Sequence, residues 1–147
     1  MSEPTPIRPQ PSDSDLPALY PLAGVVLATV LGSFIAAVVV VYLNYRALGS
    51  SALARKAVIG GLVIYVGLLT LTVVLPREPY MSVIFISVQA GLAYAVANAL
   101  QGDAIRYHVS RGGPMHSMLR AAGVGLLTGL AVLFALLTAT ALILGNA

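Results

Sequence analysis

At 147 residues, 59% hydrophobic, 9% charged and with a mean hydropathy of +0.93, the chain is far from a soluble domain, where about 25% of residues carry charge. The lack of cysteine excludes disulfides, thiol nucleophiles and thiolate metal sites. The net charge of +3 is small, its basic residues read as membrane-face anchors, and no nucleic-acid partner is expected.

Four charge-free stretches, 22–43, 57–76, 81–101 and 121–147, make up most of the chain. Each approaches or exceeds the roughly 20 residues needed to cross a hydrocarbon core of ~30 Å. The predicted class is an all-α polytopic membrane protein, with four transmembrane helices in two antiparallel hairpins. Spans are expected at about 21–47, 52–75, 81–110 and 117–144, forming one domain over 20–147.

Residues 1–19 carry Pro4, Pro6, Pro9, Pro11 and Pro17, with Glu3, Asp13 and Asp15 against Arg8. This composition predicts a disordered or polyproline-like tail. It does not read as a cleavable signal peptide, because its positive residue is isolated and the following apolar run is too long.

Tyr20 and Pro21 open the first helix, the tyrosine as an interfacial anchor. Gly24, Ala28, Gly32 and Ala36 recur every four residues, a small-residue face that lets another helix approach closely. Val38 to Val41 are expected to face lipid or fill a wider gap. Gly49 should end the helix in a left-handed conformation, with Ser50 or Ser51 capping the next. The short connection Pro76-Arg77-Glu78-Pro79 should return the third span directly beside the second. That span should continue to about Ser110, end at Gly112-Gly113-Pro114, and be followed by a helix containing the GxxxG match Gly125 to Gly129.

Arg46, Arg55 and Lys56 lie in the first connection, and Arg106, Arg111 and Arg120 in or beside the third. By the positive-inside rule these loops are cytoplasmic, and both termini are expected outside. The six basic residues are expected to bind anionic lipid headgroups. The pattern Asn44-Tyr45-Arg46 before Lys56 has a loose echo in Arg106-Tyr107-His108 before Arg120, as if two out-in-out hairpins repeated.

The four charge-free stretches contain no Asp, Glu, Lys, Arg or His, which argues against a proton-coupled pump. Gly91 joins the packing residues. In the third span Ser87, Ala90, Gly91, Tyr94, Ala97, Asn98 and Gln101 should point inward, and Phe85, Val88, Leu92 and Val96 outward. Gln89 should lie near the depth of Thr29 and Thr70, with Tyr65, Tyr94 and Thr128 in a second layer. These neutral groups are read as interhelical hydrogen-bond glue, or alternatively as the lining of a polar path. His108 and His116, with Asp103 nearby, read as a solvated loop and a poor metal site. No cofactor is implied, and no acid, base or nucleophile is placed to make the chain an enzyme.

The run Leu27-Ala28-Thr29-Val30-Leu31-Gly32-Ser33, the later Asn44-Tyr45-Arg46-Ala47-Leu48-Gly49, and His108, Gly112-Gly113 and Ser117 together resemble a family of uncharacterised small bacterial membrane proteins. Met118 and Leu119 stand where that family commonly has tryptophans. The resemblance implies a bacterial cytoplasmic (inner) membrane location. The expected role is a structural or accessory membrane component, as a homo-oligomer or within a larger complex. The alternative is a channel or facilitator for a small neutral or weakly polar solute.

Overall fold

A helix satisfies its own backbone polar groups, which an apolar run cannot do in any other isolated form, and all four apolar stretches are helical. The computed structural model describes residues 16–76 and 78–145; the greater part of the proline-rich tail, with Arg8, and Arg77 lie outside the described residues. The helices are α1 (Leu22–Ala47), α2 (Ser51–Val74), α3 (Pro79–Ser110) and α4 (Met118–Gly145). All are long and apolar enough to cross a membrane. Gly49 and Gly112 take positive φ, 73° and 72°, a conformation that costs glycine little. There the Ser50 and Gly113 N–H groups reach back to the Tyr45 and His108 carbonyls, closing the ends of α1 and α3. The Ser117 hydroxyl accepts the Arg120 N–H at 3.3 Å, at the entrance to α4.

α1 is not one rod. Ser33 has φ 71° and ψ 178°, outside the helical region. Along a continuous helix, Tyr20 and Asn44 would stand about 36 Å apart. Instead Asn44 Oδ1 accepts the Tyr20 N–H at 2.7 Å, and Asn44 Nδ2 donates to the Tyr20 carbonyl at 3.0 Å. The helix therefore folds back at Ser33 into two legs, 22–32 and 34–47, whose open end is tied by Asn44. The stretch 21–47, expected as one straight helix, is thus two antiparallel legs. A glycine-serine pair is a known site of helix kinks, and Gly32-Ser33 occupies the turn.

Packing is organised by this hairpin. α2, α3 and α4 each pack on α1, and not on one another. The third helix therefore does not return against the second, and the α3–α4 pair is held together through α1. Gly24 approaches Ala121, Gly32 lies against the Gly125 carbonyl, and Gly129 lies against the Leu31 carbonyl and Gly32 Cα. The first leg thus runs in the same direction as the first half of α4. The second leg runs with the latter part of α3, since Phe34 bonds to Gln89, while Val41 and Asn44 bond to Gln101. Val38 sits against Gly61 of α2. Val38, Val40 and Val41 are buried, so of the two placements expected for this run they fill a gap between helices and do not face lipid.

Two consequences follow for the ends. Leu19 pairs with the segment just before α4, its N–H donating to the Pro114 carbonyl and its carbonyl accepting the His116 N–H. Gly145 ends a helix of 28 residues that extends about 42 Å from there. The first described residues and the end of α4 therefore lie at opposite ends of the bundle; the termini themselves, expected on one side, lie outside the described residues. The hairpin also reaches only partway along its neighbours. Buried residues of α3 begin at Gln89, and those of α4 are Ala121 and Gly125 alone; beyond the turn, Val73, Val83, Phe134, Leu137 and Ile143 are exposed.

Candidate functional site at the hairpin turn and mouth

At the turn, breaking the helix at Ser33 frees the Phe34 N–H from its usual partner. Gln89 Oε1 accepts it at 3.0 Å, and the Gln89 side chain is buried. An amide carbonyl from a neighbouring helix thus replaces a lost intrahelical acceptor, which is what keeps buried non-helical backbone tolerable. The Ser33 hydroxyl beside it is enclosed and makes no hydrogen bond within the chain. Thr29, one turn earlier, is buried and returns its hydroxyl to the Val25 carbonyl.

At the mouth, Asn44 and Gln101 form a connected pair. Asn44 Nδ2 donates to Gln101 Oε1 at 3.2 Å, and Gln101 Nε2 donates to the Val41 carbonyl at 2.8 Å. Both side chains are about 1% exposed, so their complete pairing matters. The Tyr45 hydroxyl donates to the Leu100 carbonyl at 2.9 Å. Over this knot lies the α3–α4 connection. His108, expected in a solvated loop, is buried; its Nε2 lies 3.1 Å from the Pro114 carbonyl, to which it donates in the Nε2–H tautomer. The His116 ring is 4.4 Å from the Tyr20 ring, and its Nδ1 faces the Arg120 guanidinium at 3.1 Å. Burial, then the Arg120 charge, hold His116 below its usual pKa, favouring the neutral ring that can accept from arginine. Among the described residues no group of three or more His, Cys, Asp or Glu could hold a metal ion.

Between α2 and α3, floored by the second leg, is a partly open cavity of about 300 Å³. Phe34 lines one end and Tyr45, Leu53 and Lys56 the other, with Gly60 and Ala93 between. Small residues on α2 and α3 leave this space; around Gly60 nothing lies within 4 Å of a Cβ position.

The remaining sequence-selected residues are placed as follows. Gly24, Ala28 and Gly32 face α4 through Gly125 and Gly129, whereas Ala36 is buried in the other leg. Of the expected inward face of α3, Ala97 and Gln101 are buried, whereas Gly91 is exposed with open space around it and Tyr94 is 49% exposed; Gln89, Ala93 and Ile105 complete the buried face. Ser87 and Thr70 are exposed and bond to carbonyls of their own helices. Tyr65 and Thr128 are half-buried. Asn98 accepts a long 3.4 Å bond from Arg106, whose main partner is Asp103 at 2.7 Å. Arg46, Arg55, Lys56, Arg106, Arg111 and Arg120 are all exposed. Asn44, Gln101 and Ser33 hold the most telling positions, yet the sequence marks them only as ordinary polar residues in or beside apolar runs. Comparison with family models, curated proteins and solved structures returned no match.

Proposed function

We propose that the chain is a multi-pass integral membrane protein acting as a structural or accessory component of a bacterial cytoplasmic membrane, completed by helices from a second copy or another membrane protein. α2, α3 and α4 cross the bilayer, and α1 enters and leaves on one side as a re-entrant hairpin. The single observation that carries this reading is the extent of the hairpin. Beyond its turn the three crossing helices lack a common packing partner and carry exposed apolar side chains along α4. The buried amides, by contrast, are engaged in holding α1. The basic connections lie at the hairpin mouth, which the positive-inside rule assigns to the cytoplasm; the end of α4 is then outside. The family resemblance supports the bacterial location.

With no native cysteine, single substitutions can test both parts. Pro17→Cys and Ser51→Cys should react with an impermeant maleimide from the same side, and Gly145→Cys from the other; Pro17 and Gly145 reacting from one side would refute the topology. Oxidative crosslinking in native membranes should capture Phe134→Cys or Leu137→Cys with a partner helix. Monomer alone at both positions would refute the assembly.

A second reading, a facilitator for a small neutral solute, draws on the unpaired Ser33 hydroxyl at a broken helix, since such breaks line pathways in transporters. Solute flux into proteoliposomes that is abolished by Ser33→Ala or Gln89→Leu would favour it; equal flux with and without protein would dismiss it.

A further inference from the structure

We infer that the cavity between α2 and α3 is a binding groove for one acyl chain of an anionic phospholipid from the leaflet at the hairpin mouth. The inference rests on the membrane reading above. The groove follows the second leg from Tyr45 to Phe34, 11 residues and about 16 Å, close to the ~15 Å that one leaflet contributes to a ~30 Å hydrocarbon core. Its wall is apolar along this length, and because the α2 and α3 backbones stay apart it opens sideways, in the direction from which a lipid enters.

The mouth end gives the occupant its charge. Lys56 lines that end and is exposed, so its alkyl stem can lie along the groove while its ammonium stays at headgroup level. Arg55, the preceding residue, faces a neighbouring hollow beside Arg46 and adds to the positive charge at this end of α2, and no carboxylate lines the groove. A phosphate-bearing, net-negative headgroup is complementary to this rim; a zwitterionic one is less so. The floor is closed by Phe34, beside the turn, which sets the depth at one chain. Gly60 leaves the groove its width: a Cβ placed there meets nothing within 4 Å, so a side chain at this groove-lining position grows from open space into the place of the acyl chain.

The test is native mass spectrometry of the full chain, first shown to resist carbonate extraction from membranes and then purified in micelles holding equal phosphatidylglycerol and phosphatidylcholine. One phosphatidylglycerol should stay bound per chain. Lys56→Gln should lower the preference over phosphatidylcholine about five-fold, the size expected for one basic residue at the surface. Gly60→Leu should abolish retention of either lipid, whereas Gly123→Leu, on α4 and outside the groove, should retain it. Retention unchanged by Gly60→Leu would overturn the site, and an unchanged preference in Lys56→Gln would overturn its charge selection. A chain released by carbonate would overturn the membrane reading itself, and the groove with it.

Discussion

Asn44→Ala should separate the two legs of α1 at their open end. The wild-type amide makes three hydrogen bonds, accepting the Tyr20 N–H and donating to the Tyr20 carbonyl and to Gln101 Oε1. Truncation orphans a donor at Tyr20, a residue only 8% exposed, at about 1–3 kcal/mol. The two acceptors each lose a bond that is worth about 0.6 kcal/mol between helices in membrane proteins. The expected loss is therefore about 2–4 kcal/mol. Asn44→Asp keeps the acceptor but loses both donated bonds and sets a carboxylate against Gln101 Oε1; it should be no more stable than the alanine variant. Reversible unfolding in mixed micelles with increasing dodecyl sulfate measures both. If Asn44→Ala unfolded within about 0.5 kcal/mol of the parent, a value typical of neutral surface changes, the hairpin mouth would not be closed by this side chain.

Ser33→Gly should stabilise by about 1 kcal/mol, because glycine adopts φ 71° without the penalty of a Cβ and the unpaired hydroxyl is removed; a lower unfolding midpoint would argue against strain at the turn. Gly32→Leu should prevent a stable fold, since even a Cβ there overlaps the Gly125 carbonyl, and fluorescence-detected size exclusion should show loss of the monodisperse peak. Stability should be full above pH 6.5 and fall as the pH drops below it. Because the folded pKa of His116 is depressed, the unfolded chain takes up the proton first. His116→Phe should flatten this dependence in thermal scans between pH 7.5 and 5, and an identical slope in the variant would exclude His116 as its source.

The all-helical class was legible because long apolar runs in a charge-poor chain leave the backbone few other solutions. The course of α1 was not. Residues 22–43 have the length and hydropathy of a full crossing, and a serine within such a run is ordinary; only its position after Gly32 hinted at a break. The decisive bonds join Tyr20 to Asn44 and Phe34 to Gln89, and local periodicity carries no record of them. The same limit displaced the inward face of α3. Small and polar residues were expected to turn inward, but α3 packs on one leg of one hairpin. Ala93, Ala97 and Gln101 suffice for that contact, leaving Gly91 and Tyr94 outside it. In α4 the short glycine motif, weak as a pattern, coincides with a close backbone approach between α1 and α4 because the first leg presents its own Gly32 against it.

The hairpin of α1 also fixes an order of events during synthesis. It leaves the ribosome before α2, α3 and α4, yet the glutamine that satisfies its turn is 55 residues further on, and the glycines that receive its first leg lie in α4. Its second leg can meet α2 early, through Val38 and Gly61, but its turn and first leg have no seat until α3 and α4 have been made, so the centre of the molecule is the last part to be finished. Contacts so distant in sequence make assembly slow relative to a bundle of neighbouring helices. A chain truncated after α3 would keep the groove for the second leg and leave the first without its seat.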